Sequence, residues 1–322
     1  MRILVTGGSG FIGTNLLNFF DDNGVIHLNV DIEKPKLEKL VPYWDKCNVN
    51  DYHKLEKVII KFKPEFIINL AAQTDTNLLE QQSHEVNYLG VKNIIKVIDK
   101  NRLQCKIIHL SSMLVNDLGT PVDELANLNS SSWYGKSKVK SEMLLKETRG
   151  INYCILRPTS IYGPYMGTPY YELFQLSLKK LIIPYPRKMG RRPFGFVGNV
   201  VQQVEYVIAN FSECSDKSFY LMDSTNLNVK IISTKIRECL GLSLPRSLNN
   251  FIFEYLAFLG DFFKLFNLHF PLTSSRYKNL ITNQTIPDHL NINLDQDKKI
   301  SFDQSIVVTI NWMKHYKKGF ED

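Results

Sequence analysis

The chain has 322 residues, enough for one large core and a smaller second lobe, and its 44% hydrophobic and 22% charged content is that of an ordinary globular protein, not of a disordered or fibrous one. Its net charge of +7 comes from lysines scattered along the sequence, which reads as a solvated surface and not as a nucleic-acid footprint. Five cysteines, with no CxxC and no Cys/His ligand spacing, argue for a reducing cytoplasm and against a structural metal.

The first predicted element is a short apolar, β-branched run, Arg2-Ile3-Leu4-Val5, which breaks into Thr6-Gly7-Gly8-Ser9-Gly10-Phe11-Ile12-Gly13. Leu16, Leu17, Phe19 and Phe20 then recur at helical spacing. Strand, glycine turn and helix follow one another. Gly7 permits the tight turn, Gly10 lets the backbone approach a pyrophosphate, and Gly13 lets the helix lie close on the strand, with Phe11 and Ile12 in the same cradle. The flanking strand and helix are the context that a dinucleotide site requires. With a strand starting at Arg2, no secretory leader is expected.

A second buried strand, Val25 to Val30, ends in Asp31. A carboxylate there accepts hydrogen bonds from both adenosine ribose hydroxyls and repels a 2′-phosphate, so NAD is favoured over NADP; Lys34 and Lys36 keep NADP open. Next, Lys46 to Asp51 end a third strand, with Asn48 and Val49 expected near the adenine, before a helix over about Tyr52 to Lys61. Pro64 opens a fourth strand through Leu70, Ala71 and Ala72, small residues that let a ligand pass close over the backbone. Gln73, Thr74 and Asp75 follow as loop residues at its carboxyl end, where doubly wound sheets hold ligands.

Glu85 to Ile95 form an amphipathic helix whose polar Asn87 either braces neighbouring loops or is a plain helix-face asparagine. The strand Lys106 to Leu110 runs into Ser111-Ser112, and Ser112 is placed to hydrogen-bond a substrate oxygen over the cleft. Ser132 begins a long helix on which Tyr134 and Lys138, four residues apart, project from one face. A tyrosine is a poor base at neutral pH. A nearby ammonium, together with a positive nicotinamide ring, would favour its phenolate.

At these residues the sequence resembles the extended short-chain dehydrogenase/reductases, also called NAD-dependent epimerase/dehydratases. The likeness is carried by Thr6 to Gly13, Asn69 to Ala72, Ser111-Ser112, Tyr134 to Lys138, and Leu156-Arg157-Pro158-Thr159-Ser160-Ile161-Tyr162-Gly163-Pro164, and it thins after about Val201 except for a closing helix over Ile306 to Trp312. The resemblance implies an α/β fold: a Rossmann-type doubly wound parallel sheet with a smaller, discontinuous C-terminal substrate-binding lobe. It makes Ser112, Tyr134 and Lys138 the catalytic triad, Asn87 a brace near the cofactor, and Pro158 part of the cofactor wall. Thr74, Ser160, Arg192 and, on weaker grounds, Arg276 become substrate-binding, the two arginines as clamps on the diphosphate of a nucleotide sugar. Sugar 4,6-dehydratases of the family carry an Asp-Glu pair where this chain has Met113-Leu114, so dehydration is disfavoured. Ser160 replaces a common substrate-binding asparagine, and Gly198-Asn199 a common Asp-Asp.

Residues 1–164 are expected to form the NAD-binding domain, with 189–222 returning to it; 165–188 and 223–322 mainly build the substrate lobe, with Ser224 to Asn226 as a connector. Arg187, Lys188, Arg191 and Arg192 form a basic cluster too short for a polyanion, so no nucleic-acid partner is expected. Phe251 to Phe270 is the most apolar stretch, interrupted too often by Glu254, Asp261, Lys264 and His269 to span a bilayer. It is expected as an amphipathic helix on the small lobe or against a partner, with rest on a membrane surface as the alternative. By resemblance the chain is a homodimer through the helices of Asn87 and Tyr134.

Together these readings give an NAD-dependent nucleotide-sugar epimerase, acting at C4 of a UDP-hexose or UDP-N-acetylhexosamine through a 4-keto intermediate. The nearest alternatives are a nucleotide-sugar 4-ketoreductase using NADH or NADPH and a hydroxysteroid dehydrogenase-like oxidoreductase. A non-catalytic NAD-sensing protein would need the glycine turn, but not Ser112, Tyr134 and Lys138 together.

Overall fold

The computed structural model describes residues 1–75, 78, 80–122, 128–266, 268, 270 and 272–318. Ile3, Leu4 and Val5 of β1 (Arg2–Thr6) are all fully buried, because helices cover both faces of the strand. Ile3 and Val5 join one core cluster with Leu16, Leu17 and Phe20, while Leu4 points into the other with Leu55, Ile59 and Val91. The first cluster lies under α1 (Phe11–Asp22), the second under α2 (Tyr52–Phe62) and α3 (Glu85–Lys100).

Seven strands form the central sheet, every pair of them parallel. In spatial order they are β3 (Trp44–Lys46), β2 (Ile26–Asp31), β1, β4 (Phe66–Asn69), β5 (Lys106–Leu110), β6 (Asn152–Pro158) and, beyond β6, β10 (Ser218–Leu221). The chain winds outward from β1 to β3 and then crosses back to β4. That reversal leaves a crevice at the carboxyl ends of β1 and β4. α4 (Trp133–Glu147) packs on α3, and α6 (Val197–Ala209) packs on α1 across the sheet.

β7 (Ser160–Tyr162) leaves the main sheet at Thr159 and pairs in parallel with β9 (Arg192–Phe196), whose other edge takes β11 (Ser224–Leu227) antiparallel. The segment expected as a plain connector is therefore a strand. Its polar sequence gives no strand pattern, and only the long-range pairing with β9 fixes it. α5 (Tyr170–Leu178) and α8 (Val229–Cys239) pack together, and β8 (Tyr185–Pro186) pairs with β12 (Ser247–Leu248). α9 (Asn250–Leu265) and α10 (Ser274–Ile281) form an adjoining helix pair, and α11 (Phe302–Lys318) lies on α8 with Ile306 and Ile310 in the larger core cluster. His269, within the apolar stretch around α9, lies outside the described residues.

Candidate active site

A cavity of about 630 Å³ opens at the crevice between β1 and β4. Gly7 turns the chain with φ +72°, and a Cβ there would sit 2.5 Å from the backbone nitrogen of Ala71. A Cβ on Gly13 would meet the Cα of Gly8 at 2.5 Å, so α1 can lie this close to the turn only with glycine at that position. Gly10 is the N-cap of α1 and supplies no side-chain cap, which leaves first-turn N–H groups for an anion at the positive end of the helix.

Gly7, Gly10, Phe11, Ile12, Gly13, Asp31, Asn48, Val49, Leu70, Ala71, Ala72, Thr74, Ser112, Tyr134, Lys138 and Pro158 all line this cavity. Asp31 accepts from the Ser9 backbone N–H through Oδ2 (2.9 Å) and from the Glu33 N–H through Oδ1 (3.0 Å). The carboxylate thus ties the glycine turn to the end of β2. Asn87 stands behind the lining. Its Oδ1 accepts from Gln73 N–H (2.7 Å), and its Nδ2 donates to the Gln73 carbonyl (3.1 Å) and to Ser137 Oγ (2.9 Å), bracing the loop after β4 against α4.

Beneath the cleft, the last residues of β1 and β4 and the next-to-last of β5 stand in register: Thr6 beside Asn69, and Asn69 beside His109. Thr6 Oγ1 donates to Asn69 Oδ1 (2.6 Å), which turns the Asn69 amide nitrogen toward His109 Nδ1 at 3.0 Å. Burial, reinforced by the charge of Lys138, holds His109 well below its usual pKa. The imidazole is therefore neutral, accepting at Nδ1 with its proton on Nε2.

Ser132 caps α4, its Oγ accepting from Gly135 N–H (3.0 Å), and so sets where Tyr134 enters the cleft. Burial pushes the Tyr134 phenol above its ordinary pKa, and a hydrogen bond with the Ser112 hydroxyl pulls it partway back. The aromatic ring of Tyr134 also stands edge-on to His84, with centroids 5.9 Å apart. Lys138 is buried with its Nζ donating to the Leu110 carbonyl (2.8 Å); burial brings its pKa down to about 8, against the opposing charge of Glu142. The expectation that this ammonium lowers the phenol pKa is not met in the protein alone, because desolvation dominates and the ammonium is turned to a carbonyl of β5.

Behind Lys138, Glu142 and Arg157 form a fully buried two-point ion pair, Nε to Oε1 at 2.9 Å and Nη2 to Oε2 at 2.6 Å, which fixes α4 on β6.

The NAD-dependent epimerase/dehydratase family model matches residues 3–220. The chain belongs to that family. It is accordingly an NAD-dependent enzyme of the extended short-chain dehydrogenase/reductase type. It is similar to an N-acetyl-α-D-glucosaminyl-diphospho-ditrans,octacis-undecaprenol 4-epimerase of Escherichia coli O157:H7, at 25% identity over 76% of this chain and 74% of the relative. A putative UDP-glucose 4-epimerase of Methanocaldococcus jannaschii is 32% identical over 50% of this chain and 56% of its own length. Among solved structures, the UDP-glucose 4-epimerase of Thermotoga maritima superposes with a TM-score of 0.71 over 98% of this chain and all of that one, at 19% identity.

Within this family member the expected substrate residues separate into two groups. Burial raises the pKa of the Tyr170 phenol, while Ser160 on β7 and the charge of Arg192 act to lower it. Arg192 has its own pKa lowered by burial, and its Nη2 is buried without a hydrogen-bond partner. Neither Ser160 nor Arg192 is part of the cavity lining, and Arg276, also outside it, lies exposed on the first turn of α10. Met113 and Leu114 begin a short 3-10 turn directly after Ser112, and neither side chain can give or take a proton.

Sequence reasoning missed Tyr170, which has no local signal because its partners come from β7 and β9. It also gave no site role to Thr159, which lines the cavity beside Pro158.

Proposed function

We infer that this enzyme is a 4-epimerase of a UDP-linked hexose or its N-acetyl relative, working through a 4-keto sugar. The observation that carries the reading is that Ser112, Tyr134 and Lys138 stand together in the wall of the glycine-turn cleft, with Lys138 one helical turn beyond Tyr134. The cofactor fits the residues present: an uncapped helix N-terminus for its diphosphate, Asp31 for its adenosine ribose, and Asn48 and Val49 for its adenine. NAD supplies a reversible hydride acceptor at C4 and, when oxidised, a positive ring charge that favours the Tyr134 phenolate.

Tyr134 takes the proton of the C4 hydroxyl, and Ser112 holds that oxygen as it becomes a carbonyl. Lys138 stays an ammonium at neutral pH, since its pKa is about 8, and holds the nicotinamide ribose. Asn87 keeps the loop after β4 and α4 at a fixed spacing, so these donors meet the sugar in one arrangement. Once the keto sugar has turned over, C4 would regain the hydride on its other face, and the same groups would return the proton to the C4 oxygen. The buried, unpartnered Nη2 of Arg192, beside Tyr170 and Ser160, fits a sugar diphosphate.

The two relatives named above share a hexose linked to a diphosphate and inverted at C4, and that chemistry is what this reading transfers. Two copies are proposed to pair through α3 and α4, where Trp133 and Met143 are exposed. Purified protein is expected to interconvert two UDP-hexoses differing at C4 with no added cofactor. Stoichiometric consumption of NADH or NADPH with a keto sugar would instead assign it as a ketoreductase.

A further inference from the structure

The face of α9 turned away from α10 is built of aromatic side chains in water. Phe251, Tyr255, Phe258, Phe262 and Phe266 recur every three or four residues and fall within an arc of about 80° at 100° per residue. Each of the five is between 50% and 72% exposed. The opposite side of the helix holds Phe253, Ala257 and Gly260, all buried. Phe253 stacks on Tyr277 of α10 at 6.5 Å between centroids, and a Cβ on Gly260 would run into the Leu272 carbonyl. α9 is therefore seated on the lobe by one side, which leaves the aromatic side without cover among the described residues.

Both acidic residues of α9 are used on the seated side. Glu254 Oε1 accepts from the Tyr277 hydroxyl (3.2 Å), and Asp261 Oδ1 accepts from Ser274 N–H (3.2 Å). The segment tied to the start of α9 is basic. From Leu173 to Val204 the chain carries six basic residues and no acidic one. Of these, Arg187 and Lys188 are bound to the start of α9: Arg187 N–H donates to Leu248, and the Asn250 side chain holds both the N–H (3.0 Å) and the carbonyl (3.1 Å) of Lys188. Lys179 and Lys180 lead into Leu181 and Ile182, also exposed, and Arg237 bonds the carbonyls of Leu181 and Ser243, next to exposed Leu244. A basic segment, with Arg187 and Lys188 both exposed, is thus held at one end of the apolar face.

We propose that this face docks the enzyme onto an anionic lipid bilayer. An outward aromatic stripe enters the headgroup boundary, while the basic segment at its start meets acidic headgroups, the combination that holds a helix flat at an interface. No described helix is long and apolar enough to cross a membrane, which fits docking on the surface. The proposal stands on this face alone and needs no turnover, so it does not depend on the epimerase reading.

The test is co-sedimentation of the full-length protein with vesicles of phosphatidylcholine alone or with 30% phosphatidylglycerol. The protein is expected to sediment with the anionic vesicles, with binding weakened at least tenfold in 0.5 M salt and by the double change Phe258→Glu, Phe262→Glu. Because that change could disturb α9, Phe258→Trp serves as a second probe: its fluorescence is expected to shift to the blue on anionic vesicles and to be quenched by lipids spin-labelled near the headgroup. Equal binding of the wild type and the double variant, no sedimentation at all, or an unshifted tryptophan would each overturn the proposal. So would a dimer that the double variant converts to monomer, since a second copy would then own the face.

Discussion

The floor of the cleft and the outer face of α9 treat water in opposite ways. Under the cleft, polar side chains are taken out of water, and most are given partners: Thr6 to Asn69, Asn69 to His109, Glu142 to Arg157, Asn87 to both Gln73 and Ser137. Burying such groups without partners costs roughly 1–3 kcal/mol each, so their arrangement is a specification of where the reacting residues stand. On α9 the reverse holds, with large apolar side chains left in water while Glu254 and Asp261 bond to α10. A buried polar network points to chemistry inside the molecule. An exposed aromatic stripe points to something outside it.

The comparison breaks most readily at Tyr134. Changing Tyr134→Phe removes the phenol oxygen and little else, and turnover is expected to fall by about 10²–10⁴-fold while NAD binding, followed by fluorescence titration, is retained. Retention of turnover would mean that the buried hydroxyl pair does not transfer the proton.

Lys138 gives a smaller effect with a defined sign. Its folded pKa of about 8 lies below the 10.5 of a free lysine, so between those values the unfolded chain holds a proton that the folded one has released. The stability contributed by Lys138 is present above pH 10.5 and is lost as pH falls toward 8. The stability of wild type minus that of Lys138→Met, from urea unfolding, should therefore rise by up to about 3 kcal/mol between pH 8 and pH 10.5. A flat difference would show that the lysine is not desolvated in solution.

Much of the cleft was legible because its signals are local. The glycine turn, Asp31 at a strand end, and Tyr134 four residues before Lys138 are each set by spacing within one element, and the structure brings all of them to one cavity. What escaped depends on pairing between distant segments. Ser224 to Leu227 become a strand only beside β9, and Tyr170 meets Ser160 and Arg192 only when β7, α5 and β9 converge. Spacing places Lys138 on the face of Tyr134, but only the fold shows its ammonium engaged by the Leu110 carbonyl.

Helical spacing shows that Phe253 and Phe258 lie on different sides of α9, yet it cannot say which side is covered. Phe253 is 7% exposed and stacked on Tyr277, whereas Phe258 is 66% exposed. Truncating the first removes packed atoms and leaves a void, so Phe253→Ala should lower unfolding stability by about 3 kcal/mol. Truncating the second removes atoms that already face water, and Phe258→Ala should change stability by less than about 0.5 kcal/mol in the absence of lipid. Thermal and urea unfolding of the two variants side by side measures the difference. Equal losses would mean that the outer face is packed against part of the same chain, and the contrast between a self-contained cleft and an outward-facing helix would fall with it.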